Sequence, residues 1–319
     1  MSNHFKREVT QVSENLVSSS ACLNVSACIA FTEGPAVNED GSVFFSDIAN
    51  NRIMKRTPNG EISTFRINSG RSNGNMFDKQ GRLVTCEGAE EGPGGRRRIV
   101  RTDLKTENVT VLTERFEGKR YNSPNDLAID SKGRIYFTDP HYRDRSDLEL
   151  DVEAVYRLNP GGRVEQVLSQ PSIQKPNGIA ISPDDKTLYI VDSNPMAKGN
   201  RKIWAFEIDS EGEIGNQRLV YDFAPGRGGD GMRLDMEGNL WIACGVNIPR
   251  SSHETTDVPA GVCVVSPSGN LLGQIPIPED LVTNLAFGGP DKKTLYVTAG
   301  KTLFSIQTSV SGFTVYPSL

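Results

Sequence analysis

The sequence has no apolar run approaching the ~20 residues that a membrane-spanning helix requires. Its first stretch (MSNHFKREVTQVSENLVSSS) also lacks the continuous apolar segment of a secretory signal. Lysine and arginine are scattered, apart from Arg96-Arg97-Arg98, over a chain of 319 residues with a net charge of −5. No basic stripe is therefore available to bind nucleic acid. We expect a cytoplasmic protein without membrane or nucleic-acid partners, and the periplasm stays open as an alternative location.

Histidine and cysteine are also scarce, which argues against several kinds of site. With only His4, His141 and His253, and no Gly-x-Ser-x-Gly motif, a serine-triad hydrolase is disfavoured. The five cysteines are odd in number and show no CxxC spacing, so structural zinc and a disulfide framework are both disfavoured. We expect free, buried thiols, with a Cys22–Cys28 bridge as the alternative.

A sustained apolar period of 3.6 residues is missing as well, so helices should be minor. A different pattern recurs: a small turn motif, an apolar stretch, a second turn and an alternating strand. Its copies begin about 40 to 54 residues apart, which is the length of a four-stranded propeller blade. The six copies are TEGPAVNEDGSVFFSD (from Thr32), SNGNMFDKQGRLVTCE (from Ser72), PNDLAIDSKGRIYFTD (from Pro124), PNGIAISPDDKTLYIVD (from Pro176), GDGMRLDMEGNLWIAC (from Gly229) and TNLAFGGPDKKTLYVTA (from Thr283).

Each copy reads as a β-hairpin that is followed by further strand-like segments. In the third copy, LAID gives a strand, DSKG a turn and RIYFTD a second strand, and AVYRLN and VEQVL come next. Six such units predict an all-β protein, a six-bladed β-propeller that forms a single domain over residues 1–319. Because the last copy is short, we expect the segment from about residue 12 to 30 to supply its missing strand, which leaves no free sheet edge.

When the copies are aligned on their turns, an oxygen-bearing side chain stands at the entrance of every first strand. First strands line the central channel of a propeller, so these side chains should converge at one end of the axis. Two carboxylates and four amides offer only oxygen ligands, which suits a hard cation such as Ca²⁺. The alternative is that Asn and Asp simply favour turns, although Glu does not. The six residues, called the ring residues below, are Glu33, Asn73, Asn125, Asn177, Asp230 and Asn284.

A second column of acidic residues ends the second strands, which return to the same face of the propeller. It comprises Asp47, Glu87, Asp139 and Asp192. These acids support either a second layer or second cation site around the ring, or ordinary hydrogen bonds to backbone at strand ends. The loops that follow are long and predict a substrate rim over residues 87–98, 140–152, 193–201 and 245–260. His141 lies in one of them, as a rim contact or as an exposed loop histidine.

These phrases together resemble the SMP-30/gluconolactonase family of regucalcin-like lactonases. The similarity is carried by FTEGP…FFSD, RSNG…GRL, SPNDLAID…IYFTDP, KPNGIAIS…LYIVD and GDGMRLD…LWIA, from about residue 30 to 305. It implies a six-bladed propeller that holds one divalent metal through Glu33, Asn125, Asn177 and Asp230. Calcium is the first expectation, with Zn²⁺, Mn²⁺ or Mg²⁺ as alternatives.

The function that this resemblance implies is the metal-dependent hydrolysis of a small lactone of the sugar aldonolactone class. We assign Asp230 as metal ligand and general base, with direct nucleophilic attack by Asp230 as the alternative. The predicted substrate contacts are Arg71, Asn73, Glu87, Asn125, His141 and Asn284. Rival hypotheses are a propeller organophosphatase of the phosphotriesterase kind and a non-enzymatic binding propeller. The partner is a small-molecule lactone, and the chain should be a monomer or a weak homo-oligomer.

Overall fold

The computed structural model describes residues 7–8, 16–18, 20–90, 92–143 and 145–316. Those residues form 27 strands and contain no α-helix. None of the segments described is a helix of the length and apolarity needed to span a membrane. The predicted all-β fold is therefore confirmed, and the strands group into six main sheets.

The strands are numbered in chain order, beginning with β1 (Arg7–Glu8) and β2 (Cys22–Cys28). Blade 1 consists of β3 (Thr32–Val37), β4 (Val43–Asp47), β5 (Arg52–Arg56) and β6 (Ile62–Ile67). Blade 2 consists of β7 (Ser72–Phe77), β8 (Leu83–Glu87), β9 (Arg98–Thr102) and β10 (Val109–Thr113). A small hairpin follows, formed by β11 (Arg115–Phe116) and β12 (Lys119–Arg120). Blade 3 consists of β13 (Leu127–Ile129), β14 (Ile135–Asp139), β15 (Ala154–Leu158) and β16 (Val164–Ser169).

Blade 4 consists of β17 (Pro176–Ile181), β18 (Thr187–Ser193), β19 (Arg201–Ile208) and β20 (Ile214–Asp222). Blade 5 consists of β21 (Gly229–Leu234), β22 (Leu240–Cys244), β23 (Gly261–Val265) and β24 (Leu271–Pro276). Blade 6 consists of β25 (Val282–Gly288), β26 (Thr294–Ala299), β27 (Thr302–Gln307) and β2, which β1 extends. The innermost strands contact one another in a circle in which β25 meets β3. This closed circle is the predicted six-bladed β-propeller.

The last blade joins the two ends of the chain. Strand β2 pairs antiparallel with β27, with Asn24 opposite Ser305 and Cys28 opposite Thr302. The predicted closing segment of about 12–30 includes residues 12–15 and 19, which lie outside the described residues. Hydrogen bonds between β2 and β27 tie together parts of the chain far apart in sequence, which stabilises the circle against opening at this blade.

The second strands of the blades are buried on both faces because each blade packs between two others. All five residues of β4 (VFFSD) are buried, for example. Aromatic side chains fill the gaps between blades, and Phe44 meets Phe77 of the next blade edge-on at 5.7 Å between ring centres. Burying a side chain of this size contributes about 1.5–3 kcal/mol. The outermost strands, such as β6, are largely exposed.

All five cysteines are free thiols, and three of them are buried. Cys22 and Cys28 stand at opposite ends of the seven-residue strand β2. An extended strand of this length separates its ends by about 20 Å, so the alternative of a Cys22–Cys28 bridge was wrong.

Five of the six innermost strands change pairing register close to their first residues. In β3 the shift lies between Glu33 and Ala36, and in β17 between Pro176 and Ile179. Such bulges bend a strand locally and redirect its side chains. Five of the ring residues lie at these irregular positions, and Asn125 lies just before β13.

Candidate metal and substrate site

A cavity of about 610 Å³ opens at the end of the propeller axis where the innermost strands begin. Five of the six ring residues lie in its wall, and each comes from a different blade. They are Glu33, Asn73, Asn125, Asn177 and Asp230. The sixth, Asn284, is buried behind Glu33 and donates a hydrogen bond to its carboxylate. The structure thus brings the predicted metal ligands to one cavity.

A glycine follows the ring residue in four of the six blades, and close packing between blades explains it. A Cβ atom on Gly34 would lie 2.1 Å from the carbonyl oxygen of Asn73, and one on Gly178 would lie 2.1 Å from that of Asp230. No side chain fits into such a gap. In these four blades the backbone can therefore touch the ring residue of the next blade, which narrows the ring. The four glycines are Gly34, Gly74, Gly178 and Gly231.

The two ring carboxylates differ in environment: Glu33 is buried, whereas 13% of the Asp230 side chain is exposed. Glu33 accepts hydrogen bonds from the Gly34 N–H at 2.6 Å and from Asn284 Nδ2 at 3.2 Å. Burial raises its pKa well above the ordinary value, and the negative charges of Asp230 and Asp126 raise it further. Burial also raises the pKa of Asp230, although the Arg227 guanidinium, 2.5 Å away, opposes the shift. A cation between the two carboxylates would lower both pKa values.

Two amide oxygens of the ring are buried without a hydrogen-bond partner in the described parts of the chain: Asn73 Oδ1 and Asn177 Oδ1. Asn177 uses its Nδ2 to donate to the hydroxyl of Tyr142 at 3.0 Å, so its oxygen is left as the free end of the amide. A buried oxygen without a partner destabilises the folded state unless a ligand binds to it. A hard cation supplies that partner, and the donor set fits one.

The site is poor in charged ligands. Within the described residues there is no group of three or more His, Cys, Asp or Glu placed to hold a metal ion. The ring instead offers two carboxylates together with neutral amide oxygens. Carbonyl-type oxygens are ordinary ligands of Ca²⁺, whereas the absence of imidazole and thiolate from the ring disfavours a dedicated zinc site.

Beneath the ring lies a buried polar layer that the sequence analysis did not identify. Asn284 Nδ2 lies 3.2 Å from both Glu33 Oε2 and Asp126 Oδ2. Arg233 lies 3.1 Å from the same Asp126 oxygen. Asp126 follows its ring residue directly, at the position where four other blades have glycine. This exception to the repeat is the sequence signal that could have revealed the polar layer. This layer fixes Asn284, and through it Glu33.

The rim over the ring is held by a buried ion pair. Lys175 Nζ donates to Glu153 Oε2 at 2.7 Å and to the carbonyl oxygen of His141 at 2.6 Å. It also lies 4.8 Å from the ring centre of Tyr142. These contacts place the Tyr142 hydroxyl against Asn177. Burial raises the pKa of Tyr142 well above its ordinary value, and the Asp230 charge adds to this.

Four arginines lie in the cavity wall: Arg143, Arg201, Arg227 and Arg250. Three of them fall within the predicted rim loops without having been singled out, and Arg227 lies outside those loops. Arg227 Nη2 contacts Asp230 Oδ2, and Arg227 Nη1 lies 3.0 Å from the carbonyl oxygen of Val282. Arg250 pairs with Glu254 at 2.6 Å. Their positions depend on how the loops fold over the ring, and no repeat pattern marks them.

Arg71 and Glu87, two of the predicted substrate contacts, face away from the cavity. The Arg71 guanidinium donates to the carbonyl oxygens of Ile48, Ala49 and Pro93, each at 2.8 Å. Arg71 therefore ties two loops together, and neither it nor Glu87 belongs to the described cavity wall. Glu87 is buried and contacts Arg66 at 3.0 Å and Arg98 at 2.7 Å.

His141 and Asn284 also support the site from behind. His141 is buried in the loop that carries Tyr142, so it is not the exposed loop histidine that formed the alternative. Its Nδ1 lies 3.3 Å from Glu90 Oε1. Of the six predicted substrate contacts, Asn73 and Asn125 are the two that line the cavity.

Three of the four acids in the second column accept hydrogen bonds from backbone N–H groups: Asp47, Asp139 and Asp192. Asp192 accepts from the N–H groups of Gln174 at 3.0 Å and Lys175 at 2.8 Å, just before β17. Asp139 accepts in the same way from the two residues that precede the third ring segment, and burial raises its pKa to about 7. Backbone hydrogen bonds at strand ends therefore hold Asp139 and Asp192, whereas Glu87 is held by Arg66 and Arg98.

The chain matches a known protein family over most of its length. Residues 31–301 match the family model described as SMP-30/gluconolactonase/LRE-like region. The chain belongs to this family.

Family members with assigned activities share much of its length. A gluconolactonase of Zymomonas mobilis is 31% identical over 313 residues, which span 90% of this chain and 81% of the relative. A 6-deoxy-6-sulfogluconolactonase of Pseudomonas putida is 27% identical over 266 residues, which span 81% and 79%. A solved structure of a gluconolactonase from Xanthomonas campestris superposes with a TM-score of 0.79 at 30% identity, covering 93% of this chain and 94% of that one.

Proposed function

We propose that this protein is a divalent-metal-dependent lactonase that opens a small aldonolactone. The observation that carries the proposal is the unsatisfied amide oxygen of Asn177, Oδ1, in one cavity with the carboxylates of Glu33 and Asp230. The gluconolactonase and sulfogluconolactonase relatives support a lactone as the substrate. Glu33, Asn125, Asn177 and Asp230 would hold the ion, with Ca²⁺ as the first choice.

A bound metal ion polarises a carbonyl group and stabilises negative charge on its oxygen, a contribution of several kcal/mol. The residues of the chain supply the remaining steps. Arg227 holds Asp230 Oδ2 at 2.5 Å and so orients the carboxylate in the cavity wall. Asp230 takes a proton from the attacking water, and the proton then passes to the ring oxygen as the ester bond breaks. Direct attack by Asp230 on the carbonyl carbon remains the alternative.

The cavity wall orients the sugar ring. Asn73 and Asn125 present amide groups that can donate to and accept from ring hydroxyls. Tyr142, held by the Lys175–Glu153 pair, closes the space over Asn177 and limits the access of bulk water. Pre-organised polar groups of this kind stabilise a transition state without having to reorient.

The test is lactone ring opening by protein treated with a chelator and then resupplied with a single metal ion. We expect hydrolysis of D-glucono-1,5-lactone to disappear on chelation and to return with Ca²⁺, Mn²⁺, Zn²⁺ or Mg²⁺ to differing extents. Full turnover by the chelated protein would contradict the metal-dependent mechanism. A phosphotriester assayed in parallel distinguishes the organophosphatase alternative, and inertness toward every ester would favour a binding propeller.

A further inference from the structure

Arg201 is a buried cation in the cavity wall. It is the first residue of β19, and only 6% of it is exposed. One of its donors, Nη2, bonds to the carbonyl oxygen of His253 at 2.8 Å. Within the described part of the chain, no carboxylate lies within 4.0 Å of the Arg201 guanidinium. Its remaining nitrogen donors do not appear among the buried polar atoms that lack a hydrogen-bond partner.

The other arginines of the cavity wall have counterions. Arg227 pairs with Asp230 at 2.5 Å, and Arg250 pairs with Glu254 at 2.6 Å. Arg143, on the rim, lies 3.8 Å from Glu90. Burial of a charge without a counterion is costly, so such a group is normally paired or completed by a ligand. Among the described cavity residues, Arg201 is the arginine that lacks its anion.

The position of Arg201 relates it to the ring. The backbone of Gly228 packs directly against it, because a Cβ on Gly228 would lie 3.2 Å from the Cα of Arg201. Gly228 also lines the cavity and precedes Asp230 by two residues. Arg201 therefore stands beside the blade that carries the proposed base, within the same cavity of about 610 Å³.

We propose that Arg201 binds an anionic substituent of the substrate, so that the preferred substrate is an acidic lactone. The guanidinium presents planar, charged donors that match a carboxylate, phosphate or sulfonate group. The ester carbonyl would lie at the ring while the anionic group, on the far side of the sugar, pairs with Arg201. This assignment rests on the proposed lactonase function and specifies the substrate class.

The experiment compares kcat/KM for three lactones above their spontaneous hydrolysis. The probes are D-glucono-1,5-lactone, which is neutral, 6-phospho-D-glucono-1,5-lactone and D-glucaro-1,4-lactone, which carries a carboxylate. The variants are Arg201→Gln and Arg201→Lys. Arg218→Gln is the matched control, because it removes the same charge from the exposed outer strand β20 of the same blade.

We expect the wild type to prefer at least one acidic lactone over the neutral one. In Arg201→Gln the acidic-to-neutral ratio of kcat/KM should fall by about tenfold or more, the scale of a lost charge-assisted hydrogen bond. Arg201→Lys should retain part of the preference, and Arg218→Gln should retain it fully. An equal loss in the Gln and Lys variants, or a ratio unchanged by Arg201→Gln, would overturn the assignment.

A binding measurement separates failure of this inference from failure of the proposed function. Calorimetry with gluconate and 6-phosphogluconate tests the anion site directly, whether or not any lactone is hydrolysed. Tighter binding of the phosphorylated acid that is lost in Arg201→Gln supports the anion site even if the lactonase proposal fails. Equal binding of the two acids by the wild type overturns the anion site even if neutral lactone is hydrolysed.

Discussion

The two ends of the propeller axis are built from the same six innermost strands and have opposite character. At the end where the strands begin, the wall carries Glu33, Asn73, Asn125, Asn177 and Asp230 around a cavity of about 610 Å³. At the other end a cavity of about 70 Å³ is lined mainly by apolar side chains and by residues 313–316. Position within the strand, rather than the fold itself, therefore decides between a binding site and a packed core.

The two ends should also respond differently to substitution. The apolar end is satisfied by its own contacts, for example Phe287 edge-on against Trp241 at 5.2 Å between ring centres. The polar end holds carboxylates and free amide oxygens that its own residues leave incomplete. We therefore expect substitutions at the apolar end to change stability, and substitutions at the polar end to change binding and turnover.

The largest effect on stability is expected at the apolar end. Phe287→Ala removes a side chain that is 3% exposed and should lower the free energy of unfolding by about 3–5 kcal/mol. The folded fraction should keep its kcat, since Phe287 does not touch the ring. Denaturant titration measures the loss, with the exposed Leu219→Ala as control, for which we expect a change within about 0.5 kcal/mol. A lower kcat in fully folded Phe287→Ala would show that the apolar end also affects catalysis.

At the polar end, Asp230→Asn keeps the shape and one ligand oxygen but removes the charge and the base. We expect metal affinity to fall, and kcat at saturating metal to fall by about 10²-fold or more. Calorimetry of the metal alongside steady-state kinetics separates the two effects. A near-normal kcat of Asp230→Asn at saturating metal would show that Asp230 acts only as a metal ligand.

Stability should depend on pH and metal together. The pKa of Glu33 is raised in the folded, metal-free protein, so its stabilising protonation is fully present below the ordinary carboxyl pKa and is lost as the pH rises through the raised value. Metal binding displaces this proton. The increase in Tm on adding Ca²⁺ should therefore grow with pH, and Glu33→Gln should flatten the trend. A constant increase in the wild type would contradict this linkage.

The smallest effect is expected at the rim. Tyr142→Phe removes the hydroxyl that accepts from Asn177 at 3.0 Å. One neutral hydrogen bond contributes about 0.5–1.5 kcal/mol, so kcat/KM should fall by roughly two- to tenfold. Tyr221→Phe, on the outer strand β20, is the matched control. An equal fall in both variants would show that the loss is not specific to the rim.

The sequence was sufficient for the blades and the ring because both follow from a repeat. A strand period of two, a turn in each copy and a polar residue at each strand entrance determine register, and register determines which end of the axis a side chain reaches. Glu33, Asn177 and Asp230 could be aligned in this way without any tertiary information. The four glycines after the ring residues were visible too, although the packing that requires them was not.

The rest of the site depends on loops and on pairings between blades. Arg71 lies next to the ring in sequence, yet its side chain turns back to three backbone carbonyls. Arg201 and Tyr142 reach the cavity only because of the paths taken by loops 193–201 and 140–152. Asp126 and Arg233 meet across two blades. Nothing in a repeat alignment specifies which direction such side chains take.

The most direct test of the central claim is a calorimetric titration of chelated protein with Ca²⁺, Mn²⁺, Zn²⁺ and Mg²⁺. The proposed ring predicts one ion per chain in the wild type and loss of that binding in the Glu33→Gln, Asp230→Asn double variant, which keeps both shapes while removing both charges. Circular dichroism verifies that the variant remains folded. Undiminished binding in the folded double variant, or no binding of any of the four ions by the wild type, would contradict a metal site at the propeller axis.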